Sequence, residues 1–335
     1  MIVTLTLNPS LDRTIEVDSL TRGAVIRAGG ARVDPGGKGV NVSRALLANG
    51  VPSRAVLPCG GDDGQRLVRL LDQEGVETVA VRCAGATRSN VTLVEPDGTV
   101  TKINEPGAAL TEVEVDGVAD AVLQAARCDP VDWVVACGSL PPGVPVDLYA
   151  ALCRRFAAAG LRVAVDTSGP ALLAAVAAGA ELVKPNRDEL AEAVGRPLGS
   201  LRDVVAAAEE LRSWGAGTVL ASLGPDGAVL VGPGGVLAGE SPPVEPRSTV
   251  GAGDALLAGF LAAGTRGAGP ADALAEALAW GAAAAALPGS RMPRPADISR
   301  TAVRVQPGPG PGRVLQPDRP RDPRRHPARP GPQGG

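Results

Sequence analysis

Short β-branched and aliphatic runs alternate with helical runs along most of the chain, and this alternation limits the possible folds more than any other feature. VTLTL (3–7) reads as a strand, and NVSRALLANG (41–50) as a helix stopping at Gly50. SRAVLPCG (53–60) reads as a strand, followed by the helix GQRLVRLLDQEG (64–75). WVVACG (133–138) precedes the helix VDLYAALCRRFAAAG (146–160). LRVAVDTSG (161–169), AELVKPN (180–186) and TVLASLG (218–224) read as further buried strands with helices between them. Strands apolar on both faces and joined through helices predict an α/β fold, with a mainly parallel sheet between two helix layers. Ligands of such sheets bind beyond the carboxyl ends of the strands.

Two regions, about 12–34 and 88–105, break the alternation. The first holds RTIEV and AVIRAGGARV with no helix between them, and the second holds NVTLVEPDGTVTKIN. Asp97-Gly98 suits a type I′ hairpin turn. These pieces predict a small separate sheet above the main one, serving as a lid, an interface or both. Alternation leaves it one apolar face to be covered.

The 335 residues, 44% hydrophobic, suffice for one large α/β domain over about residues 1–305. Residues 306–335 are expected to form a disordered Pro/Gly/Arg-rich tail, since 307–335 contain 9 Pro and 6 Gly. That stretch has 6 Arg against 2 Asp, so the rest of the chain carries 27 basic and 34 acidic residues, a net of −7. An acidic body argues against nucleic-acid binding. No run is long and apolar enough to span a bilayer, and no signal-peptide pattern opens the chain, so a cytoplasmic setting is expected. Five cysteines without a C-x-x-C pair fit reduced thiols rather than disulfides or zinc. The single histidine, His326, lies in the expected tail, which excludes His-dependent triads and metal centres from the body.

Chemistry must then rest on carboxylates, lysines, arginines and backbone amides. In RSTVGAGDALLAGF (247–260) a glycine turn leads into a helix with Asp254 at its mouth. The Gly251, Ala252 and Gly253 amides, with the helix dipole, favour an anion. A carboxylate there either caps the helix or faces a hydroxyl that must lose its proton. PGGKGVNVSRAL (35–46) lacks the G-x-x-x-x-G-K spacing of a nucleotide P-loop. Its Gly36, Gly37, Lys38 and Asn41 either hold sugar hydroxyls and phosphate or form an ordinary turn into a helix. In VKPNRDEL (183–190), Asn186 and Glu189 suit either Mg²⁺ with nucleotide phosphates or a capping box. SLGPDG (222–227) either walls a nucleotide pocket or is a plain turn. Arg88 and Asn90 either bind phosphate or are simply exposed.

Taken together and in this order, these stretches resemble the PfkB/ribokinase family of sugar kinases. GGKGVNVS, with Gly50 and Gly60 following, resembles the family's first motif, and STVGAGDALLAGFL its second. The resemblance implies a ribokinase-like three-layer sandwich with a β-sheet lid, and transfer of the ATP γ-phosphoryl group to a hydroxymethyl group. It implies Asp254 as base and Gly251, Ala252 and Gly253 as the anion hole. TLNPSLD (6–12), TRSNV (87–91), GSLPPG (138–143) and DTSG (166–169) resemble the branch that acts on phosphorylated ketohexoses. Fructose 1-phosphate is then the expected acceptor, with tagatose 6-phosphate and fructose 6-phosphate as alternatives. A non-catalytic sugar-phosphate sensor is a further alternative; a nicotinamide dehydrogenase is disfavoured because no G-x-G-x-x-G follows the first strand.

The same resemblance assigns the sugar side to Asp12, Gly36, Gly37, Asn41, Asn90 and Ser139, with Lys38, Arg88 and Arg27 as phosphate ligands. It assigns the ATP side to Lys184, Asn186, Ser222, Leu223, Gly224, Pro225, Asp226, Gly227 and Gly253. Asn186 and Glu189 would stand near Mg²⁺, chiefly through indirect contacts. Ile26 departs from the family, which often has Asn there. A homodimer through the lid is expected.

Overall fold

In the computed structural model, residues 1–308, 314 and 315 are described. The first part of the chain runs β1 (Ile2–Thr6), β2 (Ser10–Glu16), β3 (Gly30–Gly36), α1 (Lys38–Ala48), β4 (Ser53–Cys59), α2 (Gly61–Glu74), β5 (Thr78–Arg82), β6 (Arg88–Val94) and β7 (Val100–Ile103). The middle adds α3 (Glu112–Cys128), β8 (Trp133–Cys137), α4 (Leu148–Ala158), β9 (Val163–Asp166), α5 (Gly169–Ala177), β10 (Leu182–Val183), α6 (Arg187–Val194), α7 (Leu201–Ser213) and β11 (Thr218–Ser222). The last part is β12 (Ala228–Gly232), β13 (Gly235–Glu240), α8 (Ala252–Thr265), α9 (Pro270–Ala285) and β14 (Arg304–Pro307).

Ten strands form one sheet in the order β14-β13-β12-β11-β10-β9-β8-β1-β4-β5. From β5 to β11 every pairing is parallel; β11 to β14 are antiparallel. Successive side chains point to opposite faces of a strand, and both faces are buried. In β8, Val134 and Ala136 pack against α3–α7, while Trp133, Val135 and Cys137 face the layer containing α1, α8 and α9. This is the expected three-layer α/β sandwich.

The small sheet has the order β3-β2-β6-β7. The type I′ expectation for its hairpin is corrected: among the described residues none other than glycine has positive φ, so Asp97 does not. Pro96 holds φ negative and favours the first central position of a type I turn. The Gly98 amide closes that turn onto the Glu95 carbonyl at 3.0 Å, and Gly98 itself takes φ 85°.

The tail boundary is also corrected. Residues 306 and 307 belong to β14, which pairs with β13. Leu315 is buried, and its amide donates to the Gly199 carbonyl at 3.1 Å. An apolar side chain with a core cavity to fill overrides the local Pro/Gly composition. The rest of the expected tail, 309–313 and 316–335 with His326, lies outside the described residues. Among the described residues no helix is long and apolar enough to cross a membrane. All five cysteines are free thiols.

Candidate active site

The carboxyl ends of the central parallel strands set one wall of the site. Thr6 of β1 lies in register with Cys137 of β8, and Cys137 with Asp166 of β9. Lys184 follows β10, and its amide donates to the Val165 carbonyl at 3.1 Å. A fully buried Asp166 sits between two lysines, with Oδ1 2.8 Å from Lys38 Nζ and Oδ2 3.2 Å from Lys184 Nζ. Lys184 is buried; Lys38 keeps about 35% of its side chain exposed. Burial alone would push the Asp166 carboxyl up. The Lys184 and Lys38 charges outweigh it and hold the group below the usual carboxylate range. Burial likewise opposes the charge on Lys38, but Asp166 and Glu189 hold that ammonium above its ordinary range.

Helix α8 supplies the opposite element. Its N-cap is Gly251, at φ 78°, a conformation that disfavours side chains. Asp254 is therefore the third residue of the helix rather than its cap. The turn bends so that Ala255 N makes the first full helical bond, to Gly251 O at 2.8 Å. The first amides of a helix lack internal acceptors and carry its positive end. Lys184 Nζ lies 3.4 Å from where a Cβ on Gly253 would stand, which adds a cation to that end.

Asp254 is buried, and its Oδ2 accepts a 2.8 Å hydrogen bond from Asn41 Nδ2 of α1. Burial first, and the Asp166 charge second, push its carboxyl up to about 6, against Lys38, the Asn41 bond and Lys184. A carboxylate poised there is charged at neutral pH yet basic enough to take a proton.

The small sheet brings a third set of groups. Asp12 of β2 accepts at Oδ1 from Ser10 Oγ at 2.8 Å and from Asn90 Nδ2 at 3.0 Å. A side chain on Gly36 would collide with the Asp12 carboxylate, and one on Gly37 with Thr6. Arg88 donates through Nη1 to Glu105 O and through Nη2 to Asn8 O, both at 3.0 Å. Desolvation lowers its pKa, against the pull of Asp12 and Glu105. Asn8 Nδ2 in turn donates to Ser139 Oγ at 3.3 Å.

On the far side, Asn186 Oδ1 accepts from Glu189 N, and Glu189 Oε2 from Asn186 N, both at 2.9 Å. The capping box is thus present, and Glu189 Oε1 still lies 3.7 Å from Lys38 Nζ. A bridge joins Asn186 to Ser222. Beyond it, Leu223 and Asp226 are buried while Gly224 and Pro225 are exposed, and Leu223 N donates to Gly227 O at 2.8 Å.

Every expected site residue except Arg27 therefore belongs to one of these neighbouring sets. Arg27 is exposed in the loop between β2 and β3, where no hydrogen bond or ion pair from the described residues fixes it. The adjoining Ile26 is half-buried and offers no polar anchor. Asp166 and Asn8 were not singled out from sequence. The available signals were the charge ending the buried run VAVD and opening DTSG for Asp166, and the TLNPSLD motif for Asn8. A cavity of about 260 Å³ at the opposite, amino-terminal end of the sheet shares no residue with this site.

Among the described residues four buried polar atoms here lack a protein hydrogen-bond partner: Asn41 Oδ1, Asn90 Oδ1, Arg88 Nε and Asp166 Oδ2, the last held by its ion pair with Lys184. Unpaired buried groups cost about 1–3 kcal/mol each. The two amide oxygens and the guanidinium donor match a ligand with several hydroxyls and an anionic oxygen.

A family model described as pfkB family carbohydrate kinase matches residues 5–297. A 1-phosphofructokinase of Rhodobacter capsulatus is 41% identical over 91% of this chain and 96% of its own. The ATP-dependent 6-phosphofructokinase isozyme 2 of Escherichia coli is 40% identical over 76% of this chain and 83% of its own. The crystal structure of phosphofructokinase-2 from Escherichia coli in complex with substrates and products superposes with a TM-score of 0.82. It is 36% identical and covers 88% of this chain and 96% of that one. A match of this extent, on a fold that seats Asp254 at a helix mouth beside the buried Lys184, shows that the chain belongs to the pfkB family of carbohydrate kinases.

Proposed function

We propose that this kinase transfers the γ-phosphoryl group of ATP to the C6 hydroxyl of fructose 1-phosphate, giving fructose 1,6-bisphosphate and ADP. The observation that carries the reading is Asp254, buried and held by Asn41 at the amino end of α8. There it accepts the proton of the attacking hydroxyl, while the Gly251, Ala252 and Gly253 amides take charge developing on the transferring group. Asp12, Asn41 and Asn90 suit the sugar hydroxyls. Lys38 and Arg88 supply the cations that an already phosphorylated sugar needs. The exposed Gly224 and Pro225 rim, with Asn186 and Ser222, suits the nucleotide.

ATP is used with Mg²⁺. No three His, Cys, Asp or Glu side chains converge into a metal cage among the described residues. The residues therefore fit a Mg²⁺ carried on nucleotide phosphates and met by one or two oxygens, as Mg²⁺ prefers. Glu189 Oε1 and Asn186 would face it, and when bound the ion offsets phosphate charge. The small sheet acts as a lid that excludes water from the reaction. Residues 1–308 form the catalytic unit, and free thiols with an ATP-linked reaction suit a cytoplasmic setting.

The 6-phosphofructokinase relative keeps fructose 6-phosphate as the second reading. Both sugars carry a phosphate at one end and a free primary hydroxyl at the other, so a few side chains decide between them. Steady-state kcat/KM for fructose 1-phosphate, fructose 6-phosphate and tagatose 6-phosphate separates the readings. Fructose 1-phosphate is expected to lead by at least about tenfold, a difference of about 1.4 kcal/mol. A lead by either of the others would move the substrate and keep the chemistry.

Edge strand β7 of the small sheet leaves Val100 about half and Ile103 more than half exposed, and its unpaired edge is open to another strand. A homodimer through this sheet is the reading it supports. Light scattering that finds only a 33.6 kDa species at micromolar concentration would refute it.

A further inference from the structure

One buried arginine outside the reacting groups joins three parts of the site. Arg44 lies on α1 one turn beyond Asn41 and is 8% exposed. Its Nε and Nη2 donate to the two oxygens of Glu74 on α2, at 2.6 and 2.9 Å. Its Nη1 donates to Pro35 O at the end of β3, at 3.4 Å, and to Ser290 O, at 3.2 Å. Ser290 belongs to the turn after α9, and that turn reaches the anion hole: Met292 Cε stands 3.0 Å from where a Cβ on Gly251 would be. Asn49 Nδ2, at the C-cap of α1, holds the same turn through Pro293 O at 2.9 Å.

The turn also touches the small sheet directly. Gly289 has φ 63°, and a side chain there would overlap the Arg32 guanidinium of β3. Strand β3 pairs with β2, which carries Asp12. A movement of the small sheet thus reaches Gly251 through this one turn, which β3 engages jointly by Arg32 on Gly289 and by Pro35 O through Arg44 to Ser290.

We propose that Arg44 is a positioning residue that couples closure of the small sheet over the sugar to the geometry of the anion hole. The role requires arginine. A guanidinium offers a rigid planar fork of donors, enough for a bidentate carboxylate and two carbonyls together, whereas lysine offers one point charge. The inference rests on the kinase reading above, because the anion hole matters only if charge develops there. Spatial adjacency alone does not establish coupling, so the test measures coupling itself.

Kinetics of Arg44→Lys, Arg32→Ala and the double variant, on the full chain with Mg-ATP and fructose 1-phosphate, provide that test. Thermal unfolding is recorded for each. Arg32 keeps an exposed side chain, so its removal does not threaten folding. Arg44→Lys is expected to lower kcat about tenfold with the KM for ATP changed less than twofold. Arg32→Ala is expected to lower kcat about threefold alone and to add nothing on Arg44→Lys, the mark of two residues on one route. A purely structural role would lower the unfolding temperature and leave kcat per folded molecule unchanged; that outcome, or multiplicative effects in the double variant, would overturn the coupling. No turnover by the parent on any ketohexose phosphate would instead refute the functional reading beneath it.

Discussion

Asp254→Asn is expected to lower kcat by about 10³-fold, inside the range of about 10²–10⁴ for loss of a general base. Nucleotide and sugar-phosphate affinities should change less than about threefold. The asparagine keeps the size and can still accept from Asn41, so what disappears is the capacity to take a proton. The wild-type pH profile makes the same point. With its carboxyl pushed up to about 6, chiefly by burial and next by Asp166, the base is protonated below that pH. The value of kcat/KM should fall about tenfold per pH unit below about 6. Stability shows the opposite side of the shift. Between its ordinary value of 3.8 and about 6, the folded protein holds the Asp254 proton and the unfolded chain does not. Stability from this group therefore falls as pH rises through that window and stays reduced above it. Asp254→Asn should be more stable than the parent at pH 8 by roughly 1–3 kcal/mol, with the difference gone by pH 4. A variant both inactive and less stable at pH 8 would contradict this account of the carboxylate.

Asp166→Asn is expected to act in the reverse sense on stability. Removing one partner of a buried ion pair leaves an uncompensated charge and costs about 3–5 kcal/mol. Here Lys184 is almost fully buried and has Asp166 as its carboxylate partner, 3.2 Å away. Lys38 is partly exposed and retains Glu189 at 3.7 Å, so Lys184 accounts for most of the loss. The substitution also removes the second cause of the raised Asp254 value. The acid limb of the kcat/KM profile should move below pH 6 even as the protein becomes easier to unfold. Denaturant titration and the pH profile read the two effects separately. An unshifted limb with a large stability loss would show that Asp254 does not sense Asp166.

Much of this was legible in the sequence because it is local. Alternating apolar runs placed the parallel strands, and the glycines before Asp254 marked a helix mouth fit for an anion. Asn186-x-x-Glu189 read equally as a cap and as a metal site, and the geometry leaves one Glu189 oxygen outside the cap. The parts not legible depend on distant segments. Asp166 becomes central only when folding brings Lys38, 128 residues away, to 2.8 Å. Arg44 looks like an ordinary helix residue until Ser290, 246 positions on, presents its carbonyl. Local chemistry also competed with local chemistry. Pro96 fixed the backbone that Asp97-Gly98 would otherwise have chosen, and the need of Leu315 for a core site overrode the composition around it.

The central claim is that this site moves a phosphoryl group onto a sugar that already carries one. Phosphorus-31 NMR of the full chain with equimolar ATP, Mg²⁺ and fructose 1-phosphate reads that event directly. The account predicts a second sugar phosphomonoester signal, at C6, growing in step with ADP. ADP accompanied only by inorganic phosphate, or unchanged ATP beside bound fructose 1-phosphate, would contradict it.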